Sequence, residues 1–127
     1  MDIIVDFDGT VVTHDYPFIG MDIGAVPVLK KLVDHGHRLI LFTMRSDLFL
    51  VQAKKWLKDR GVELYGVQTN PEQKSWTTSP KAYGQLIIDD AALGCPLIFP
   101  QGERPYVDWV AAEKMLEKMG LFKLEEK

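Results

Sequence analysis

Ile3-Ile4-Val5-Asp6-Phe7-Asp8-Gly9-Thr10 is the stretch that decides the fold, an apolar run that ends in two carboxylates and a glycine turn. Residues i and i+2 of a strand share a face, which predicts Asp6 and Asp8 side by side with Cα atoms roughly 6–7 Å apart, able to share one cation. Gly9 turns the chain without a Cβ penalty. Thr10 is expected to hydrogen-bond to the neighbouring backbone. A strand that delivers paired carboxylates into a tight turn reads as a phosphoryl-transfer site.

Outward from that string, short apolar runs alternate with helical stripes, the pattern of β and α units. Strands are expected at 3–6, 38–42, 64–67, 86–88 and 97–99, in a sheet buried on both faces. Ala25, Leu29, Leu32 and Val33 make the apolar face of a helix over 24–35 that stops at Gly36. Ser46 is a candidate N-cap, with Asp47 in the first turn, for a second helix carrying Phe49, Ala53, Trp56 and Leu57 and ending at Gly61. Asp108 caps a third, with Trp109, Ala112, Leu116 and Met119 at helical spacing before Gly120. Residues 121–127 read as a short docking tail. The expected fold is a Rossmann-like three-layer α/β/α sandwich with a mainly parallel sheet, one domain over 1–127. Segments 11–23 and 68–80 lack a pattern and follow strand ends, which makes them candidate substrate loops.

A formal charge of −3 argues against nucleic acid as the default partner. Cys95 is the only cysteine, so there is no internal disulfide, and it reads as a small buried hydrophobe. With no leader-like or membrane-spanning run, the expectation is a soluble, cytoplasmic protein with no membrane partner.

Polar groups then fall at the ends of three separate strands: Asp6, Thr43 after Leu39-Ile40-Leu41-Phe42, and Asp89 with Asp90 after Leu86-Ile87-Ile88. Ligands of open α/β sheets bind at that edge. Carboxylates ~4 Å apart repel by about 4 kcal/mol at an effective dielectric of 20, so Asp6, Asp8, Asp89 and Asp90 call for a divalent cation. All-oxygen donors beside a phosphate favour Mg²⁺.

With these residues in view, the chain resembles the haloacid dehalogenase-like superfamily along essentially its whole length. The likeness rests on Asp6-Phe7-Asp8-Gly9-Thr10, Thr43 in Leu41-Phe42-Thr43-Met44-Arg45, Lys81, and Ile88-Asp89-Asp90, in that order. The resemblance implies a Mg²⁺-dependent phosphatase in which Asp6 is the nucleophile that forms an aspartyl-phosphate and Asp8 the general acid and base. It implies that Mg²⁺ is held by Asp6, the main-chain carbonyl of Asp8, Asp89 and Asp90, and that Thr43 and Lys81 bind the phosphoryl oxygens. Lys74 is the alternative to Lys81. Arg45 is either a substrate contact or a cap on the strand edge.

The core elements occupy the spans between these motifs, which leaves no separate cap domain. The open site would then take a large phosphorylated substrate, or be shielded by 11–23, where Tyr16, Pro17, Phe18 and Ile19 could form a flap, or by a neighbouring subunit of a homo-oligomer. Two rivals stand beside the phosphatase. One is a non-catalytic Mg²⁺- or phosphate-binding scaffold. The other is a phosphorylatable receiver, although receivers separate the acidic pair and the phosphoacceptor between strands. Lys54, Lys55, Lys58 and Arg60 read as a solvated helix face. His14 is a candidate substrate contact, and His35 and His37 are candidate helix caps. Trp56 and Trp109 are expected in the core and Trp76 partly buried.

Overall fold

The computed structural model describes residues 1–123. In chain order the elements are β1 (Asp2–Val5), α1 (Ala25–Asp34), β2 (Arg38–Leu41), α2 (Asp47–Asp59), β3 (Gly66–Val67), a 3-10 turn at Gln73–Ser75, β4 (Leu86–Ile88), β5 (Leu97–Ile98), β6 (Tyr106–Val107) and α3 (Trp109–Lys118). Strands β3-β2-β1-β4 form one sheet in that order, all parallel. Helices flank it, so the chain is a mixed α/β protein of the Rossmann-like, three-layer kind.

Alternation along the strands sorts the core into two layers. Ile3, Val5, Leu39 and Leu41 form one cluster with Leu29 and Leu32 of α1, Ala53 and Leu57 of α2, and Ala112 and Leu116 of α3. The opposite face, with Ile4 and Ile40, packs on Ala82 and Tyr65. This third layer is formed there by chain on either side of β3, Tyr65 before it and Ala82 in the β3–β4 crossover. Burial on both faces is accordingly uneven: Phe42 and Ile87, on the thinly covered side, are about half exposed.

All three helices stop where glycine was expected to stop them. Gly36 has φ +87°, its N–H reaches Val33 O, and the following His37 N–H reaches Leu32 O, which closes a Schellman motif. The same pair of bonds recurs at Gly61 and Gly120. In the last two, the residue after the glycine, Val62 or Leu121, is buried with its partner Leu57 or Leu116. Ser46 occupies the N-cap of α2 without a side-chain cap bond, whereas Asp108 caps α3 by accepting from Ala111 N–H at 3.1 Å.

Several expectations are corrected. The run at 97–99 does not extend the main sheet. Leu97–Ile98 pairs antiparallel with Tyr106–Val107, a strand too short to show a period in the sequence. That ribbon is fixed instead to the first motif, through Val107 N–H to Gly9 O at 3.0 Å. The expected strand at 64–67 narrows to Gly66–Val67. Cys95 is only half buried. Trp76 is exposed, edge-on to Tyr83. The His37 imidazole caps no helix: it bridges the amino terminus and Leu121 O. Leu121 and Phe122 are buried as a docking tail requires, and 124–127 lie outside the described residues. Among the described residues, no helix is long and apolar enough to cross a membrane.

Candidate active site

Register builds the site. Val5 is level with Leu41 on one side and Ile88 on the other, so the residues that leave β1 and β4, Asp6 and Asp89, emerge on adjacent strands about 4.8 Å apart. Asp6 N–H still reaches Ile88 O (3.1 Å), Phe42 N–H reaches Val5 O (2.9 Å) and Gln68 N–H reaches Leu41 O (2.7 Å). The carboxyl ends of all four strands therefore meet along one edge.

Asp6, Asp89 and Asp90 each place a carboxylate oxygen within 4.8 Å of the others. The Thr10 hydroxyl lies between them, 3.0 Å from Asp6 Oδ2 and 3.2 Å from Asp90 Oδ1, and accepts from Asp90 N–H at 3.0 Å. Thr10 is wholly buried, and its carbonyl accepts from the Trp109 indole N–H at 2.7 Å. Its hydroxyl thus serves the carboxylates, not the local backbone expected from the sequence. His14 Nε2 donates to Asp90 Oδ2 at 2.8 Å. Gly9 makes this closeness feasible: with φ +82°, any Cβ there would collide with the His14 imidazole and the Asp90 carboxylate.

Burial, the hydrogen bond shared with Asp90 and the charge on Asp89 push the Asp6 carboxyl up to about 8. Burial acts on Asp90 in the same direction, but hydrogen bonds to Asp6 and His14, the nearby His14 charge and Thr10 outweigh it and leave that carboxyl below its usual range. Three crowded carboxylates thus hold a proton that one cation would replace. The all-oxygen donor set suits a hard divalent ion.

Asp8 is not part of this cluster. β1 ends at Val5, so the strand rule no longer governs residues 6–8, and only the Asp6 carboxylate joins Asp89 and Asp90. Asp8 forms a bidentate pair with Arg45, Nε to Oδ2 at 2.8 Å and Nη2 to Oδ1 at 2.7 Å. Arg45 has no exposed side-chain surface, and its guanidinium is engaged by Asp8 and the carbonyls of Pro17, Phe18 and Phe49, whereas the sequence offered it as a substrate contact or a strand-edge cap.

Thr43 is where its strand predicts, at the end of β2, half buried. Its N–H and carbonyl are bracketed by the Gln68 amide (2.9 and 2.6 Å), and its hydroxyl accepts from Arg45 N–H. Lys81 and Lys74 are both exposed, and neither makes an ion pair with a carboxylate of the cluster among the described residues. The Lys81 main chain is held by Gln73 and Ser79, and the adjacent Ala82 packs on Ile4 and Ile40, below the level of Asp6. Residues whose part in the site the sequence did not reveal are Thr10 as a carboxylate partner, His14 beside Asp90, and Gln68 across from Thr43.

The fold and this edge define a class: a parallel α/β sheet with an acidic cluster at its carboxyl ends. A solved structure, that of a conserved protein from Bacteroides thetaiotaomicron, matches the chain at 38% identity over 94% of this chain and 91% of that one, with a TM-score of 0.77. At that identity and coverage the chain belongs to the same family as the Bacteroides protein. No protein-family model matches the chain, and no curated protein does.

Proposed function

We propose that the protein is a Mg²⁺-dependent phosphomonoester hydrolase, similar to haloacid dehalogenase-like phosphatases, acting through an aspartyl-phosphate on Asp6. The observation that carries the reading is the Asp6, Asp89 and Asp90 cluster at the carboxyl ends of adjacent central strands. A divalent cation held by Asp6, Asp89 and Asp90 would release the proton on Asp6 and screen the charge of the incoming phosphate.

Asp6 is then an anion aimed out of the strand end, and its oxygen attacks phosphorus as the ester oxygen departs. Water cleaves the acyl phosphate, which returns Asp6 and frees inorganic phosphate. Thr10 and His14 fix the orientation of Asp90 beside Asp6. Thr43, beside the same edge, offers its hydroxyl to a phosphoryl oxygen. Asp8 is the candidate acid and base: each of its oxygens accepts one guanidinium N–H and keeps a second lone pair for a proton.

That pairing, with no lysine joined to the cluster among the described residues, favours a second reading: a Mg²⁺- or phosphate-binding protein without turnover. Phosphate release from an aryl phosphate, with and without Mg²⁺ and with Asp6→Asn as control, separates them. Mg²⁺-stimulated turnover that disappears in Asp6→Asn is the expected result. Mg²⁺ binding with no Asp6-dependent turnover across a broad panel of phosphate esters would establish the second reading, and stable phospho-Asp6 without turnover would indicate a receiver.

A further inference from the structure

Arg45 heads the wholly buried side chains in size, and a guanidinium is costly to bury unless its donors are satisfied. All of them are. Nε and Nη2 hold the two oxygens of Asp8, Nη2 also donates to Phe18 O at 2.8 Å, and Nη1 donates to Pro17 O at 3.3 Å and Phe49 O at 3.4 Å. The rings of Phe7 and Tyr16 lie 5.2 and 5.1 Å from its centre. Three separate pieces of chain therefore meet on one side chain: the first motif through Asp8, the segment 11–23 through Pro17 and Phe18, and α2 through Phe49.

Segment 11–23 is itself a small hairpin. Thr13 N–H donates to Met21 O, Met21 N–H to Thr13 Oγ1, and Val12 bridges Asp22. Its base is tied to the cluster through His14 and Asp90, and its tip, with Phe18 70% exposed, is tied to Arg45. A loop fixed at both ends is a wall beside the site.

We infer that Arg45 is a positioning residue that makes the Asp8 carboxylate and the tip of this hairpin one mechanical unit, so that neither moves without the other. The kinetic consequence rests on the phosphatase reading, but the clamp itself does not. Two measurements keep them apart. In the first, amide hydrogen exchange is followed in wild type, Arg45→Lys and Asp8→Asn. The lysine keeps the charge and loses the fork, and the asparagine attacks the clamp from its other end should Arg45→Lys fail to fold. Exchange at Phe18 and Met21 is expected to rise at least tenfold in either variant, with Ile4 and Ile40 in the sheet unchanged. Unaltered exchange at the hairpin overturns the clamp.

In the second, kcat and KM for an aryl phosphate are measured for Arg45→Lys with Asp8 present and in an Asp8→Ala background. A positioning role lowers kcat at least tenfold with KM within threefold, and costs nothing further once Asp8 is gone. Losses that multiply, or a rise in kcat, overturn the positioning role. If wild type shows no Asp6-dependent turnover, the phosphatase reading fails and the exchange result alone decides the clamp.

Discussion

Asp6 and Asp8 stand two residues apart in one turn and live in opposite electrostatic worlds. Asp6 faces two more carboxylates, with a hydroxyl, the Phe7 backbone and, through Asp90, an imidazole for relief. Asp8 has a buried guanidinium gripping both its oxygens. The first arrangement is under-compensated and ready to accept a cation. The second is compensated within the protein and holds pieces of chain together. Burial of a charge is thus no guide to its role. What decides is whether the protein itself supplies the counter-charge.

Substitution tests that contrast directly. Under the phosphatase reading, Asp6→Asn should lower kcat by about 10³-fold or more, since it removes the nucleophile, while the protein stays folded by circular dichroism. A loss below tenfold would break the assignment. Asp8→Ala should lower kcat too, and in addition cost ~3–5 kcal/mol of stability in denaturant titration, because it strands Arg45 as an uncompensated buried charge. If Asp8→Ala were no more destabilising than Asp6→Asn, the contrast drawn between the two carboxylates would collapse.

Proton linkage sharpens it further. The folded Asp6 carboxyl sits above its unfolded value, so its stabilising contribution is complete below pH ~4 and is lost as pH rises toward 8. Without divalent cation, Tm is expected to fall across that window. Mg²⁺ should offset the fall, and Asp6→Asn should flatten it. A metal-free Tm that is flat from pH 5 to 8 in wild type would contradict the raised carboxyl.

Smaller effects follow from the groups that hold the cluster. Thr10→Val leaves Asp90 N–H and both carboxylates without the hydroxyl and should cost about 1–3 kcal/mol. Trp109→Phe removes the indole bond to Thr10 O and part of a buried ring, for about 1–3 kcal/mol. Thermal unfolding of both variants is the check, and an unchanged Tm in either would contradict the part given to the bond it removes.

The readable part of the molecule was local. Helices α1, α2 and α3 end at Gly36, Gly61 and Gly120 because a left-handed residue after an amphipathic stripe is a matter of adjacent bonds. The strands of the sheet are continuous apolar runs, which burial on two faces demands. Asp6, Asp89 and Asp90 were legible for a related reason: parallel register carries strand ends to a common edge. The pairing of β5 with β6 was not, since two-residue strands carry no period. Nor was Arg45, because an arginine four residues past a strand end looks the same in sequence whether it faces solvent or is fully enclosed.

By itself, the amino-acid sequence determined the α/β order, the helix ends and the set of polar groups gathered at the edge of the sheet, all properties of short stretches and their periods. Only the tertiary structure decided how those groups divide. Which carboxylate is left among its own kind and which receives a guanidinium depends on contacts across 37 to 80 positions of chain, Asp8 to Arg45 and Thr10 to Asp90. Such contacts are set by how layers pack, and no local pattern encodes them.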